Sequence, residues 1–270
     1  MSIEANAHVP QRSYKLIQIS DTHLMDEVDG EFVQMQPEAS FQAVLADIQQ
    51  RHADLDVVLH TGDIAQAPVP ATYQRYLQSM QATGWPHYQI PGNHDNAEIF
   101  PFYQQQNIAH IVHLGTWSII LLNSAVKGRV DGQVCDAQLE QLAHLLQQYP
   151  QQHTLVACHH HPMSMQSNWI DQHRLKNNHQ LQHILEQHPQ VKLVLFGHVH
   201  QDSAQQQNGI SYLSTPSTSV QFKPKSHDFA LDQIAPGYRV VQLHQNGEFS
   251  SHIQRLENHQ QKIKTDISGY

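Results

Sequence analysis

Tyr88-Gln89-Ile90-Pro91-Gly92-Asn93-His94-Asp95 is the stretch on which the reading of this chain turns. Its apolar start reads as a buried strand, Tyr88 to Ile90. Pro91-Gly92 then forces a turn, so three polar side chains are presented where a strand stops. By itself the Asn-His-Asp group reads more often as an ordinary loop than as a catalytic one. Recurrence changes that. Leu16–Ser20 runs into Asp21-Thr22-His23, and Val57–Thr61 runs into Gly62-Asp63. Leu155–Cys158 runs into His159-His160-His161, and Val191–Phe196 into Gly197-His198-Val199-His200. Strands that end in Asp, His and Asn are what a metal site at the carboxyl edge of a sheet requires.

The chain has 270 residues, enough for one sizeable core and without a demand for two domains. A net charge of −9 and the absence of Lys/Arg runs argue against a nucleic-acid or anionic-membrane surface. A phosphate-bearing substrate would then be held by metal ions, not by a basic patch. Cys135 and Cys158 are too few for a disulfide framework and are expected reduced. No apolar stretch reaches membrane-spanning length, and residues 1–12 lack the apolar segment of a signal peptide. The expectation is a cytoplasmic protein: a lead-in (1–13), one domain (14–256) and a polar tail (257–270).

Along the chain, Phe41, Val44, Leu45 and Ile48 mark an amphipathic helix over Glu38–Gln50. Pro70 opens a second helix, with Tyr73, Leu77 and Met80 on its inner face. Asp136 is read as the cap of a third, and Leu181, Ile184 and Leu185 mark another. Strands are expected near Ile111–Leu114 and over Trp117–Asn123, and a long loop over Pro162–Gln172. Asn208-Gly209 and Asn246-Gly247 read as hairpin turns. The alternation of strands and helices, followed by a β-rich last quarter, implies an α/β (α+β) protein with two packed sheets flanked by helices.

The candidate metal ligands are Asp21, His23, Asp63, Asn93, His159, His198 and His200. All are oxygen or imidazole donors, a set suited to Fe, Mn, Zn or Co. Seven exceed the needs of one ion and suit two sharing a carboxylate, for which Asp63 is best placed. His198 and His200 alternate in extended chain, so both rings can converge. Within His159-His160-His161 the first is chosen, leaving the others as supporting or substrate-facing groups. His94, following Asn93 directly, is read as pointing to substrate, where an imidazolium protonates a leaving alkoxide. Asp95 either orients His94 or stabilises the turn. Most other histidines, such as His8, His52, His144 and His259, fall in polar stretches and read as surface residues.

In this order, Asp21-x-His23, Gly62-Asp63, Gly92-Asn93-His94-Asp95, His159 and Gly197-His198-x-His200 resemble the calcineurin-like metallophosphoesterase superfamily. The resemblance implies a four-layer αββα sandwich with a binuclear centre. One ion would be held by Asp21, His23, Asp63 and His200, the other by Asp63, Asn93, His159 and His198. Substrate would meet His23, Asp63, Asn93, His94 and His200, with His94 and Asp63 as the catalytic pair. Gly62–Gln66, Asn168–Gln172, Ser214–Pro224 and Phe229–Asp232 look like the bacterial class III 3′,5′-cyclic AMP phosphodiesterases. That narrower resemblance implies conversion of cyclic AMP to 5′-AMP by in-line attack of a metal-bridging hydroxide, with a broader phosphodiesterase or phosphomonoesterase as the alternative. Trp169, Phe222 and Lys223 are candidate base or phosphate contacts, and a homodimer is left open. Asn123, Ser219 and Tyr238 depart from the family's usual Asp, Cys and Trp and are expected to alter pocket shape alone.

Overall fold

Leu155 and Ala157 face one hydrophobic core while their neighbours Val156 and Cys158 face another. Leu16 and Ile17 part in the same way. Strands with both faces buried in different cores must lie in the middle of a layered molecule. The computed structural model describes residues 12–101, 109–257 and 263–264. Most of the expected lead-in and tail, with His8 and His259, lies outside the described residues.

The elements are β1 (Ser13–Ile19), α1 (Pro37–Arg51), β2 (Val57–His60), α2 (Pro70–Thr83) and β3 (His87–Gln89), followed by β4 (His110–Leu114) and β5 (Trp117–Leu121). Next come α3 (Asp136–Gln148), β6 (His153–Cys158), the single turn α4 (Asn168–Asp171), α5 (Asn178–Glu186) and β7 (Val191–Phe196). Strands then dominate: β8 (Ser203–Gln207), β9 (Ile210–Ser214), β10 (Gln221–Phe222), β11 (Leu231–Asp232), β12 (Gly237–His244) and β13 (Phe249–Arg255).

One sheet has the order β13-β12-β1-β2-β3 and the other β4-β5-β6-β7-β9-β8. Both are mixed: β1, β2 and β3 are parallel, as are β5, β6, β7 and β9, and antiparallel strands flank them. Leu16, Leu59, Trp117, Leu155, Leu193 and Val241 fill the space between the sheets. The first sheet's outer face packs on α1 and α2 through Phe41, Val44, Tyr73 and Tyr76. The second sheet's outer face packs on α3 and α5 through Leu142, Leu146, Leu181 and Leu185. This is the αββα sandwich. Each large side chain so buried contributes about 1.5–3 kcal/mol.

Polar groups stitch the sheets together. Gln18 of β1 donates to Thr61 Oγ1 and to the Phe196 carbonyl, both at 3.0 Å. Arg239 of β12 is buried and donates to the carbonyls of Ser214 (2.7 Å) and Ser203 (3.2 Å) across the interface. A buried guanidinium is tolerable only with its donors engaged.

Several local expectations need correction. Tyr88 is 36 % exposed because β3 is an edge strand, so the run before Pro91 is not fully buried. In α2 Tyr73 and Met80 face inward as expected, but between them the inner face carries Tyr76, and Leu77 is only half-buried. Cys135 is the N-cap of α3, and Asp136 stands inside the first turn, where its charge favours the helix dipole. The loop 162–172 contains α4. Asn208 and Gly209 both have positive φ (50° and 81°), the twisted two-residue hairpin turn expected. At the second hairpin only Gly247 is left-handed, in a longer loop closed by His244 N–H to the Glu248 carbonyl at 2.9 Å. Among the described residues no helix is long and apolar enough to cross a membrane, and both cysteines are free thiols.

His60, at the end of β2, is buried with Nε2 2.6 Å from Thr22 Oγ1 and its ring edge-on to Tyr76. Burial lowers its pKa to about 3. A histidine depressed in the fold takes up its proton more readily when unfolded. Its stabilising effect is therefore complete above about pH 6.5 and is lost as pH falls from there towards 3. In urea titrations the wild type should lose stability across that window, and His60→Gln should flatten the decline. Parallel curves for the two proteins would contradict this origin.

Candidate metal centre

All seven proposed ligands lie just beyond strand ends: Asp21 and His23 after β1, Asp63 after β2, Asn93 after β3, His159 after β6, His198 and His200 after β7. Asp21, His23, Asp63, His198 and His200 all adopt left-handed backbone, with φ of 55°, 53°, 54°, 69° and 46°. Such residues cost about 1–3 kcal/mol each and persist only where the surroundings over-determine them. The kinks lie just beyond the strand ends, where the donor groups gather. They also correct the extended-chain reading of His198 and His200. His198 joins His159 and His160, whereas His200 joins Asp21 and His23, each group with donor atoms within 4.8 Å of one another. Asp63 belongs to two groups, with Asp21 and His159 and with His23 and His94.

The hydrogen bonds fix which ring nitrogens face inward. His159 Nδ1 lies 2.7 Å from the Thr61 carbonyl, and His200 Nδ1 lies 2.8 Å from the Val220 carbonyl. A carbonyl only accepts, so Nδ1 carries the proton in both and Nε2 turns inward. His23 Nδ1 meets Gln66 Oε1 at 2.8 Å in the same sense. The inward atoms then crowd: His23 Nε2 to His200 Nε2 is 3.1 Å, His159 Nε2 to Asn93 Oδ1 is 3.2 Å, and His159 Nε2 to Asp63 Oδ2 is 3.3 Å. His198 Nε2 is buried with no hydrogen-bond partner. Lone pairs turned on one another in a buried space, with an orphaned imidazole nitrogen beside them, are chemically suited to cations. The donor set is nitrogen and oxygen. Cys158 is packed in the outer core, its thiol pointed at the His160 carbonyl at 3.4 Å.

The electrostatics divide the set. Burial would raise Asp63, but His159, His94 and His23 around it hold its carboxyl well below the ordinary range. Burial lowers His23 to about 3 and pushes His198 and His160 well down, keeping them neutral and able to ligate. His159 goes the other way: burial opposes its charge, yet Asp63 and Asp21 raise it to about 9.

The structure also settles what the supporting residues touch. Asp95 does not bond His94. Its carboxylate accepts N–H groups of Gly92 (2.9 Å), Ile64 (3.2 Å) and Ala65 (3.2 Å) and the Tyr73 hydroxyl (3.1 Å), locking the Asp63 and Asn93 loops together. The turn-stabilising alternative is the correct one. Gly92 and Gly62 permit this approach, since a Cβ at either would collide with Asp63 or His159. His94 donates its backbone N–H to Asp63 Oδ1 at 2.8 Å, and its ring stands edge-on to His23 at 4.9 Å. His160 is tied to Ser124 Oγ (2.8 Å) and the Val130 carbonyl (3.1 Å). His161 faces Asp171 at 3.3 Å.

A cavity of about 550 Å³ opens on the centre. Asp63, Asn93, His94 and His198 line it, with Trp169, Ile170 and His173 from the α4 segment, Phe222, Asp228 and Phe229 from the β10–β11 region, and residues 128–130. His23 and His200 are buried and not among the lining residues. Lys223 is exposed and holds the β10–β11 turn through its backbone, not the cavity through its side chain. Asn123, Ser219 and Tyr238 do not line the cavity either, so their departures from the family pattern do not act there directly.

The family described as calcineurin-like phosphoesterase matches residues 14–202. The chain belongs to this family. It is 40 % identical over 264 residues to the 3′,5′-cyclic adenosine monophosphate phosphodiesterase CpdA of Vibrio vulnificus, covering 96 % of each chain. To the protein of that name in Escherichia coli K12 it is 37 % identical, covering 95 % of this chain and 94 % of the relative. Among solved structures it is similar to a dimetal phosphatase from Danio rerio, with a TM-score of 0.60 at 16 % identity over 88 % of this chain and 98 % of the other. That likeness speaks to fold alone. The calcineurin-like phosphoesterases use a dinuclear metal centre, and the clustered histidines and aspartates here fit one. Of the residues missed from sequence, Gln66 stands in the Gly62–Gln66 block and Phe229 in the Phe229–Asp232 block, so a signal existed. Nothing in the chain marks Thr61 or Val220, which act through carbonyls.

Replacing Asp95 by Ala would strand three N–H groups and a tyrosine hydroxyl. We expect a loss of about 2–4 kcal/mol in chemical denaturation together with reduced metal content by elemental analysis. Wild-type stability in Asp95→Ala would contradict the locking role.

Proposed function

We propose that this phosphoesterase hydrolyses 3′,5′-cyclic AMP to 5′-AMP, using two transition-metal ions drawn from Fe, Mn, Zn and Co. The observation that carries the reading is the make-up of one cavity. Its metal-ligand side supplies Asp63, Asn93, His94 and His198, and the rest combines aromatic and apolar surface from Trp169, Ile170, Phe222 and Phe229 with the polar groups of Arg129, His173 and Asp228. A phosphate with an attached flat, apolar-faced base matches that division, and the volume lies in the range of small-molecule sites. Relatives similar over nearly the whole length carry the cyclic AMP phosphodiesterase name.

Asp21, His23, Asp63 and His200 would hold one ion, and Asp63, Asn93, His159 and His198 the other. The two ions, when bound, supply an activated water at neutral pH and neutralise charge on the phosphate oxygens. Asp63 would be the carboxylate shared by the two sites: Oδ2 faces His159 at 3.3 Å and His23 at 3.8 Å, while Oδ1 is fixed by the His94 N–H. The water, having passed one proton to solvent, would attack phosphorus in line with the bond to the 3′ oxygen; that bond breaks, and His94 delivers a proton to the departing oxygen. The buried donors of His159 and His200 hold their rings by backbone carbonyls, so the ligand geometry is set before substrate arrives.

The reading is tested with metal-reconstituted protein assayed on 3′,5′-cyclic AMP and on bis(p-nitrophenyl) phosphate, with the nucleotide product identified. Conversion of cyclic AMP to 5′-AMP, abolished in Asp63→Ala, is expected. Turnover of the nitrophenyl diester alone would move the substrate to another phosphate ester. His94→Ala should retain metal by elemental analysis while kcat falls by about 10²–10⁴-fold; an unchanged kcat would remove His94 from the chemistry.

A further inference from the structure

Trp169 is not needed to hold metal or move a proton, yet its position is tightly controlled. It sits in the four-residue α4, half-buried, on the wall of the cavity. Its ring meets Phe222 edge-on at 4.9 Å and Phe229 at 5.0 Å. Phe222 in turn lies flat on His200, with centroids 3.9 Å apart and planes 8° from parallel. The indole therefore stands one ring removed from a histidine of the metal centre. Its N–H is buried and has no hydrogen-bond partner, so the ring is not kept there by a polar bond of its own.

The segment beneath it is anchored at several points. Asp171 accepts the Met165 N–H at 2.8 Å and the Ser164 hydroxyl at 2.7 Å, and faces His161 at 3.3 Å. Ser167 donates to the Ser226 carbonyl at 2.7 Å, tying α4 to the chain between β10 and β11. Ile170 is buried in the outer core. His161 belongs to the loop that carries His159, and its ring stacks on His198 at 5.6 Å. The aromatic wall and the metal loop thus share anchors, an arrangement that fixes distance between a phosphate and whatever meets the indole.

We infer that Trp169 is the platform on which the nucleobase of the substrate stacks, so that the cavity recognises the face of a purine. The inference rests on the cyclic-nucleotide reading above. Aromatic stacking on a base is worth about 1–3 kcal/mol by alanine substitution and is indifferent to the base's edge. The larger purine face gains more than a pyrimidine from the same ring. A platform that only positions the base acts on KM.

The test compares wild type, Trp169→Phe and Trp169→Ala on 3′,5′-cyclic AMP and on methyl ribofuranoside 3′,5′-cyclic phosphate, which lacks the base. Metal content and thermal stability are measured for each. For cyclic AMP, KM should rise about 10-fold in Trp169→Ala and less in Trp169→Phe, with kcat nearly constant. The base-free substrate should show no such change. Titration of 5′-AMP should quench tryptophan fluorescence in the wild type and not in Trp169→Phe, where Trp85 and Trp117 remain. An unchanged KM for cyclic AMP in a metal-replete Trp169→Ala protein, or an equal loss on the base-free substrate, would overturn the platform while leaving the cyclic-nucleotide activity standing. A wild-type protein inert towards both substrates would instead overturn that activity, and the platform with it.

Discussion

Asp63 is the residue at which the two sheets have to agree. Its carboxylate touches the His94 backbone from the first sheet's β3 loop and faces His159 from the second sheet's β6 loop. Neither sheet can shift along the other without pulling these groups apart. Around it, His159 bonds the Thr61 carbonyl, and the His198 N–H bonds Asp21, so the carboxyl edges of both sheets are laced together at the centre. The interior between the sheets is apolar and non-directional, and sets spacing without setting register. The polar edge sets register.

That edge is assembled against local preference. Five of the seven ligand candidates adopt left-handed backbone, and histidine rings are packed with their lone pairs facing one another. The layered cores, which bury large side chains on both faces of the central strands, supply the stability that holds such conformations. Asp95 distributes the constraint. By accepting three backbone N–H groups from two loops and a tyrosine hydroxyl from α2, it makes the turn at Gly92 and the turn at Gly62 one rigid body. Donors positioned in this way would need little reorganisation to bind metal.

The net charge of −9 fits the same design. A chain without a basic patch attracts a phosphate ester poorly through its overall field, so recognition has to be local. On the reading proposed above, bound cations would supply the local positive charge, beside Arg129 on the cavity wall, and the aromatic wall would supply affinity for the rest of the substrate. The wall residues Trp169, Phe222 and Phe229 come from two different segments, brought together by Ser167 and Ser226 and by packing on His200.

The strand-end grammar was legible in the chain because it depends on local chemistry. An apolar run of three to six residues followed, directly or after a Pro-Gly turn, by Gly, Asp, His or Asn announces both the strand and the donors, and the recurrence at Asp21, Asp63, Asn93, His159 and His198 announces a shared site. The αββα layering followed from periodicity and from the resemblance those blocks carry. Other features had no local signature. Left-handed φ at His198 and His200 arises because the loop must turn into the centre, which no dipeptide pattern states. The exposure of Tyr88 follows from β3 being an edge, a property of strand order. Two of Asp95's partners, Ile64 and Ala65, are about thirty residues away, and Thr61 and Val220 contribute only carbonyls that every residue possesses. The sequence determined which donors exist and on which strand ends they stand. The tertiary structure decided which donors meet, because distances between strand ends are set by how two sheets pack and not by any spacing along the chain.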